Sequence, residues 1–216
     1  MFWLGRSLGL TRLLVVAGLV TGAVFAGTAR ADSSDLSISS PYSISEGSWN
    51  QLVGSVPFGT SSESWSYAKG SDASAAGSCA FSSSSSLSPS FDCSDDGTYA
   101  VTLTADGQST SAPISVVNVA PWAAIRAPSS GYITSRYFPV NVSVAFSDPG
   151  TTDTHTCAIT WGDGKVTWGY VLESGGAGTC RASHTYYVGG WWTVSATVYD
   201  DDGGAGVTQS ISVRTI

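Results

Sequence analysis

The run from Gly190 through Trp191-Trp192-Thr193-Val194-Ser195-Ala196-Thr197-Val198 to Tyr199 restricts this chain more than any other stretch. Side chains alternate across an extended strand, so Trp192, Val194, Ala196 and Val198 share one face, and Trp191, Thr193, Ser195, Thr197 and Tyr199 the other. An apolar face backed by a hydroxyl-rich one describes a strand half buried against a second layer. Asp200-Asp201-Asp202-Gly203 closes the run. Upstream, Trp161-Gly162-Asp163-Gly164 demands a turn, because glycine takes positive φ freely and aspartate bonds its own backbone. The pattern Gly97-Thr98-Tyr99-Ala100-Val101-Thr102-Leu103-Thr104 repeats the first strand at a period of about 90 residues, which suits two domains rather than a solenoid. Further short alternating runs lie at residues 64–68, 114–119, 140–146, 157–161, 166–172 and 207–213. With abundant turn residues and no helical period after residue 31, the expected class is all-β, as two tandem sandwiches.

The order Trp161-Gly162-Asp163-Gly164, His184-Thr185-Tyr186, Gly190, Trp192-Thr193-Val194, Val198 and Asp200 resembles the signature of a polycystic kidney disease (PKD) domain. Family members usually carry Phe or Tyr where Trp192 stands, and often W-x-F-G-D-G where this chain has Ile159 to Gly164. The resemblance covers residues 121–216 and implies an immunoglobulin-like sandwich, most often a non-catalytic extracellular module. Residues 32–120 read as a degenerate copy. They lack the Trp-Gly-Asp-Gly turn, for which Trp65-Ser66-Tyr67 with Lys69-Gly70 is the nearest equivalent, and Phe91-Asp92-Cys93 stands where His184-Thr185-Tyr186 does. Ala120-Pro121 marks the boundary, since proline cannot continue a central ladder.

Arg6 and Arg12, an apolar stretch at 13–25 and Ala29-Arg30-Ala31 read as a signal peptide over residues 1–31, cleaved after Ala31. The apolar stretch is short for a span of about 20 residues, so the mature chain is expected not to cross a membrane. All 16 acidic residues follow Ala31 but three of the 9 basic ones precede it, leaving six positive against 16 negative charges, a net of −10. Such a balance disfavours nucleic acid as a partner. It accommodates divalent cations, extracellular proteins and polysaccharides. Four cysteines in an exported chain read as two disulfides, with three pairings possible. The internal repeat favours Cys79–Cys93 and Cys157–Cys180. A zinc site is disfavoured because no C-x-x-C pair occurs.

The sequence offers little for catalysis. His155 and His184 are the two histidines, Glu46, Glu63 and Glu173 the three glutamates, and no nucleophile-elbow motif is present. No cofactor is expected to be required. Asp148, Asp153, Asp163, Asp200 and Asp202 are candidate calcium ligands, since calcium takes six to eight oxygens from loop carboxylates and carbonyls. Their alternative role is to cap turns. Trp191, Tyr199, Trp168 and Tyr187, with Tyr170, are candidates for an aromatic platform contacting sugars or proteins. The expected function is a secreted or surface-bound, non-enzymatic module for adhesion or spacing. The alternative is a carbohydrate-binding accessory to a separate or missing extracellular hydrolase.

Overall fold

The computed structural model describes residues Asp35–Ile216. The signal-peptide expectation at residues 1–31 lies outside them. Every regular element among the described residues is a β-strand.

Nine strands build the first sandwich: β1 (Ser37–Ser39), β2 (Ser43–Ser45), β3 (Asn50–Gln51), β4 (Val53–Ser55), β5 (Glu63–Lys69), β6 (Cys79–Phe81), β7 (Ser90–Cys93), β8 (Gly97–Ala105) and β9 (Gln108–Val117). One sheet runs β2-β9-β8-β5, facing β3-β7-β6, with β1 paired to β4. Ten more follow: β10 (Trp122–Ala127), β11 (Tyr132–Thr134), β12 (Pro139–Ser147), β13 (Thr156–Thr160), β14 (Val166–Trp168), β15 (Tyr170–Ser174), β16 (Ala177–Thr185), β17 (Gly190–Tyr199), β18 (Ala205–Val207) and β19 (Ile211–Thr215). They form β10-β12-β16-β15 against β11-β19-β17-β13-β14, with β18 beside β17. The order β2-β9-β8-β5 recurs as β11-β19-β17-β13, each opening with a parallel pair in an otherwise antiparallel sheet.

The alternation in β17 does what the pattern requires. Val194, Ala196 and Val198 are buried, Trp192 packs on the same core, and the odd-numbered residues face outward. Fully burying each valine stabilises by about 1.5–3 kcal/mol relative to exposure. One apolar cluster, from Ile44 to Val116, fills the first sandwich, and another, from Ala123 to Val213, fills the second.

Two expectations need correction. Residues 166–172 are not one strand: β14 pairs β13 and β15 pairs β16, so the chain changes sheets at Gly169. Gly169 donates its N–H to Cys157 O (2.8 Å) and rests against Cys180 Sγ, where a β-carbon has no room. Residues 207–213 also divide, into β18 and β19. Between them Thr208 donates its N–H to Ala196 O and accepts Ala196 N–H on its hydroxyl, both at 2.9 Å, so a side chain takes over one ladder bond. His184 sits near the end of β16. Both expected disulfides, Cys79–Cys93 and Cys157–Cys180, are present, and the two differ in what they join. Cys79 and Cys93 are direct partners in the β6–β7 ladder, whereas Cys157 on β13 and Cys180 on β16 join opposite sheets.

Candidate functional site

Three constellations carry the polar and aromatic residues singled out by the sequence. The first is the Gly162-Asp163-Gly164 turn between β13 and β14, with φ of 81° and 85° at its glycines. Asp163 accepts Lys165 N–H on Oδ1 (3.0 Å) and bonds His184 Nε2 through Oδ2 (2.7 Å). Burial alone would raise the Asp163 carboxyl, but the His184 bond, the Lys165 N–H and the histidine charge together hold it below its ordinary value. The His184 ring stacks on Trp161 at 5.0 Å. Tyr186 donates its hydroxyl to Trp161 O (2.7 Å), and its ring lies parallel to Trp192 at 4.8 Å. Trp161 Nε1 donates to Thr167 Oγ1 (2.9 Å). The motif residues therefore brace one another and the turn.

The aromatic candidates do not assemble into one platform. Trp191 and Tyr199 stand eight residues apart on β17, about 26 Å at the usual strand rise. Trp168 pairs with Tyr199 (centroids 6.1 Å), Tyr187 pairs edge-on with Tyr137 (5.9 Å), and Trp191 lies under the Arg214 guanidinium (5.4 Å). Tyr170 is exposed on β15. The end of the second sandwich where β17 begins is the more apolar, with Tyr137, Phe138, Tyr187, Val188, Trp191 and Ile216 all more than 60% exposed. Backbone bonds from Arg136 to Ile216 and from Tyr137 to Tyr186 tie these segments together.

At the opposite end of β17 lies a cluster of acids drawn from both sandwiches. The second contributes Asp148 and Asp153 from the β12–β13 loop and Asp200, Asp201 and Asp202 from the turn after β17. The first contributes Glu46 after β2 and Asp95 and Asp96 before β8. Carboxylate oxygens of Glu46, Asp148 and Asp153 lie within 4.8 Å of one another, as do those of Asp95, Asp96 and Asp202 and those of Asp153, Asp201 and Asp202. Thr152 stitches the cluster across the boundary, donating its N–H to Ser94 O (3.3 Å) and placing its hydroxyl between Ser94 O (3.0 Å) and Asp95 Oδ2 (2.9 Å). Asp163 stands outside the cluster, held in its own turn by His184. Sequence reading missed Glu46, Asp95, Asp96 and Asp201. The one signal was the acidic pair Asp95-Asp96 before Gly97, echoing the Asp200–Gly203 run after the counterpart strand β17, and nothing in the sequence pointed to Glu46.

Some of these acids are partly satisfied. Asp148 accepts Gly150 N–H on Oδ1 (2.8 Å) and meets His155 Nε2 through Oδ2 (3.2 Å), while the same ring reaches Glu173 Oε2 through Nδ1 (2.7 Å). Asp200 Oδ1 accepts the N–H groups of Asp202 (3.1 Å) and Gly204 (2.6 Å), which is the turn-capping role. Glu46 Oε1 accepts Val119 N–H (2.7 Å). Glu46 Oε2, Asp95 Oδ1, both oxygens of Asp153 and Asp200 Oδ2 are buried with no hydrogen-bond partner. Among the described residues no lysine or arginine pairs with the cluster, and His155 is its one cationic candidate.

Burial, reinforced by Asp148, Asp96 and Asp95 and opposed by the Val119 bond, pushes the Glu46 carboxyl up to about 7. Burial with Glu46, Asp148, Asp95 and Asp202 pushes Asp153 up to about 8. Folding then favours the protonated forms, so the stability they contribute is complete below their unfolded values, 4.5 and 3.8, and is lost as pH rises through about 7 and 8. Thermal melts in chelator are expected to show Tm falling steadily across that window. A flat profile would mean that neither burial nor mutual repulsion holds these carboxyls protonated in the folded state.

No protein-family model matches the chain, and no curated protein matches it. Solved structures give loose likenesses. Fibronectin(III)-like modules of Clostridium thermocellum CbhA align at 20% identity over 84% of this chain and 93% of that one, with a TM-score of 0.36. The PKD domain of an M14-like peptidase from a Thermoplasmatales archaeon aligns at 22% identity over 46% of this chain and 98% of its own, also at 0.36. Yersinia pseudotuberculosis adhesin InvE gives 13% identity over 84% and 58% of the respective chains, again at 0.36. Superpositions this loose carry no functional argument. The strand order and the two-sheet packing themselves make the chain an immunoglobulin-like β-sandwich protein.

Proposed function

We propose that the protein is a non-catalytic, exported module of the PKD type that contacts extracellular proteins or polysaccharides through the aromatic end of its second sandwich. The observation that carries this reading is the group of exposed apolar residues around the Tyr137–Tyr187 pair and Trp191. Flat rings with polar edges serve both sugar faces and protein partners. The group lies on loops and strand ends, where a rigid sandwich can present it without disturbing its core. The two disulfides support an oxidising compartment.

A non-enzymatic role is supported by the state of both histidines. His155 is 6% exposed and bonded to Asp148 and Glu173, and His184 is stacked on Trp161 and bonded to Asp163. These are bracing positions. The Trp161–Tyr186–Trp192 arrangement around the Gly-Asp-Gly turn supports the PKD-type assignment of the second sandwich.

The test is a glycan and matrix-protein array probed with the wild-type chain and with the Tyr187→Ala/Trp191→Ala double variant. Loss of about tenfold or more in binding, with unchanged Tm, is the expected result for anchoring aromatics. Binding that survives this variant but not Trp168→Ala would move the surface to the Trp168–Tyr199 pair and sink the proposed end.

A further inference from the structure

The acid cluster has a feature that turn capping does not explain. Capping uses one oxygen of Asp200 and one of Asp148, yet five carboxylate oxygens of the cluster are buried without any partner. Glu46 is 0% exposed, Asp95 3%, Asp153 7% and Asp200 7%. Buried polar groups are nearly always hydrogen-bonded, and buried charges are paired or coordinate metals. Asp153 is the clearest case, since both its oxygens lack a partner and it belongs to two of the three close groups of acids.

We propose that the boundary between the sandwiches is a calcium site, with Glu46, Asp148 and Asp153 as its central ligands and Asp95, Asp96, Asp201 and Asp202 extending it. The donor set is all oxygen, with no thiolate and with His155 already bonded through both ring nitrogens, which suits a hard cation and disfavours zinc or copper. Oxygens within 4.8 Å of one another fit around an ion at the calcium–oxygen distance of about 2.4 Å. Irregular loop carboxylates suit calcium better than magnesium, which demands near-octahedral geometry and retains water. Glu46 comes from the first sandwich and Asp148 and Asp153 from the second, so one ion would hold the two together beside the Thr152–Ser94 bond. This inference is independent of what the aromatic end contacts.

The experiment uses the full exported chain, stripped with chelator and dialysed. Calcium titration followed by calorimetry and Tm is expected to show binding in the range of about 10⁻⁴ M or tighter, with Tm rising on saturation. Glu46→Gln and Asp153→Asn each remove a carboxylate ligand while keeping shape. Each is expected to weaken calcium binding about tenfold or more and to shrink the calcium-induced gain in Tm. Asp163→Asn is expected to keep the full calcium response, whatever it does to basal Tm. Hydrogen exchange is expected to slow on calcium addition both at residues 46–47 and 94–96 and at residues 148–153. No heat and no Tm change with calcium would overturn the proposal, as would an equal response to magnesium. A response lost in Asp163→Asn but kept in the other two variants, or protection confined to the second sandwich, would overturn the bridging site.

Discussion

Trp161→Ala is expected to lower the unfolding free energy by about 3–5 kcal/mol, the range for deleting a large buried aromatic. Trp161 is fully buried between β13 and the Gly-Asp-Gly turn, and it supports three neighbours at once. Its indole N–H satisfies Thr167, its carbonyl accepts the Tyr186 hydroxyl, and its ring carries His184. Truncation leaves a cavity beside Tyr186 and frees the His184–Asp163 pair to water. Trp161→Phe retains most of the ring volume and the backbone carbonyl but strands the Thr167 hydroxyl, so a smaller loss of about 1–3 kcal/mol is expected. Equilibrium denaturation in urea measures both. A loss below about 1 kcal/mol for the alanine variant would show that the motif is not a packing unit.

Removing the inter-sheet disulfide as Cys157→Ala/Cys180→Ala is expected to cost about 3–5 kcal/mol, against about 2–3 kcal/mol for Cys79→Ala/Cys93→Ala. The loops closed are similar, at separations of 23 and 14 residues, so chain entropy alone separates the two pairs little. The difference comes from position. Cys79 and Cys93 tie strands already paired in register, whereas Cys157 and Cys180 are both at most 1% exposed and link strands of opposite sheets that share no ladder. Gly169 also packs on Cys180 Sγ, so the sheet-switching segment loosens when the bridge goes. Denaturant midpoints of the two double variants, with m-values compared, provide the measurement. An equal or larger loss for the first pair would show that bridging the sheets adds nothing.

Some elements were legible because their period was clean. β17, β8 and β12 alternate large apolar with small or hydroxyl-bearing residues, and each lies within a residue or two of the expected run. β16 was not legible as a strand. Its residues, Ala-Gly-Thr-Cys-Arg-Ala-Ser-His-Thr, are small and polar, and β12 on one side and β15 on the other hold it by backbone bonds rather than by an apolar stripe. The break at Gly169 was invisible for a related reason. Val166 to Leu172 alternates well enough for one strand, and only the sulfur beneath Gly169 reveals that the chain steps from one sheet to the other. The aromatic platform failed on distance, because residues on one strand face can still lie at its two ends.

What the residues alone determined is the class and the local chemistry. A two-residue period sets which side chains enter a core, glycine and aspartate set the turns, and the repeated strand pattern assigns two of the four cysteines to each copy. These are local rules, acting over a few residues. Which acids meet was decided only in three dimensions. Glu46 and Asp153 are more than a hundred positions apart along the chain, and Asp163, nearer in sequence to Asp153 than Glu46 is, belongs to a different turn. Spatial convergence of loops depends on how two sandwiches pack end against end, and no pattern of neighbouring residues encodes that packing.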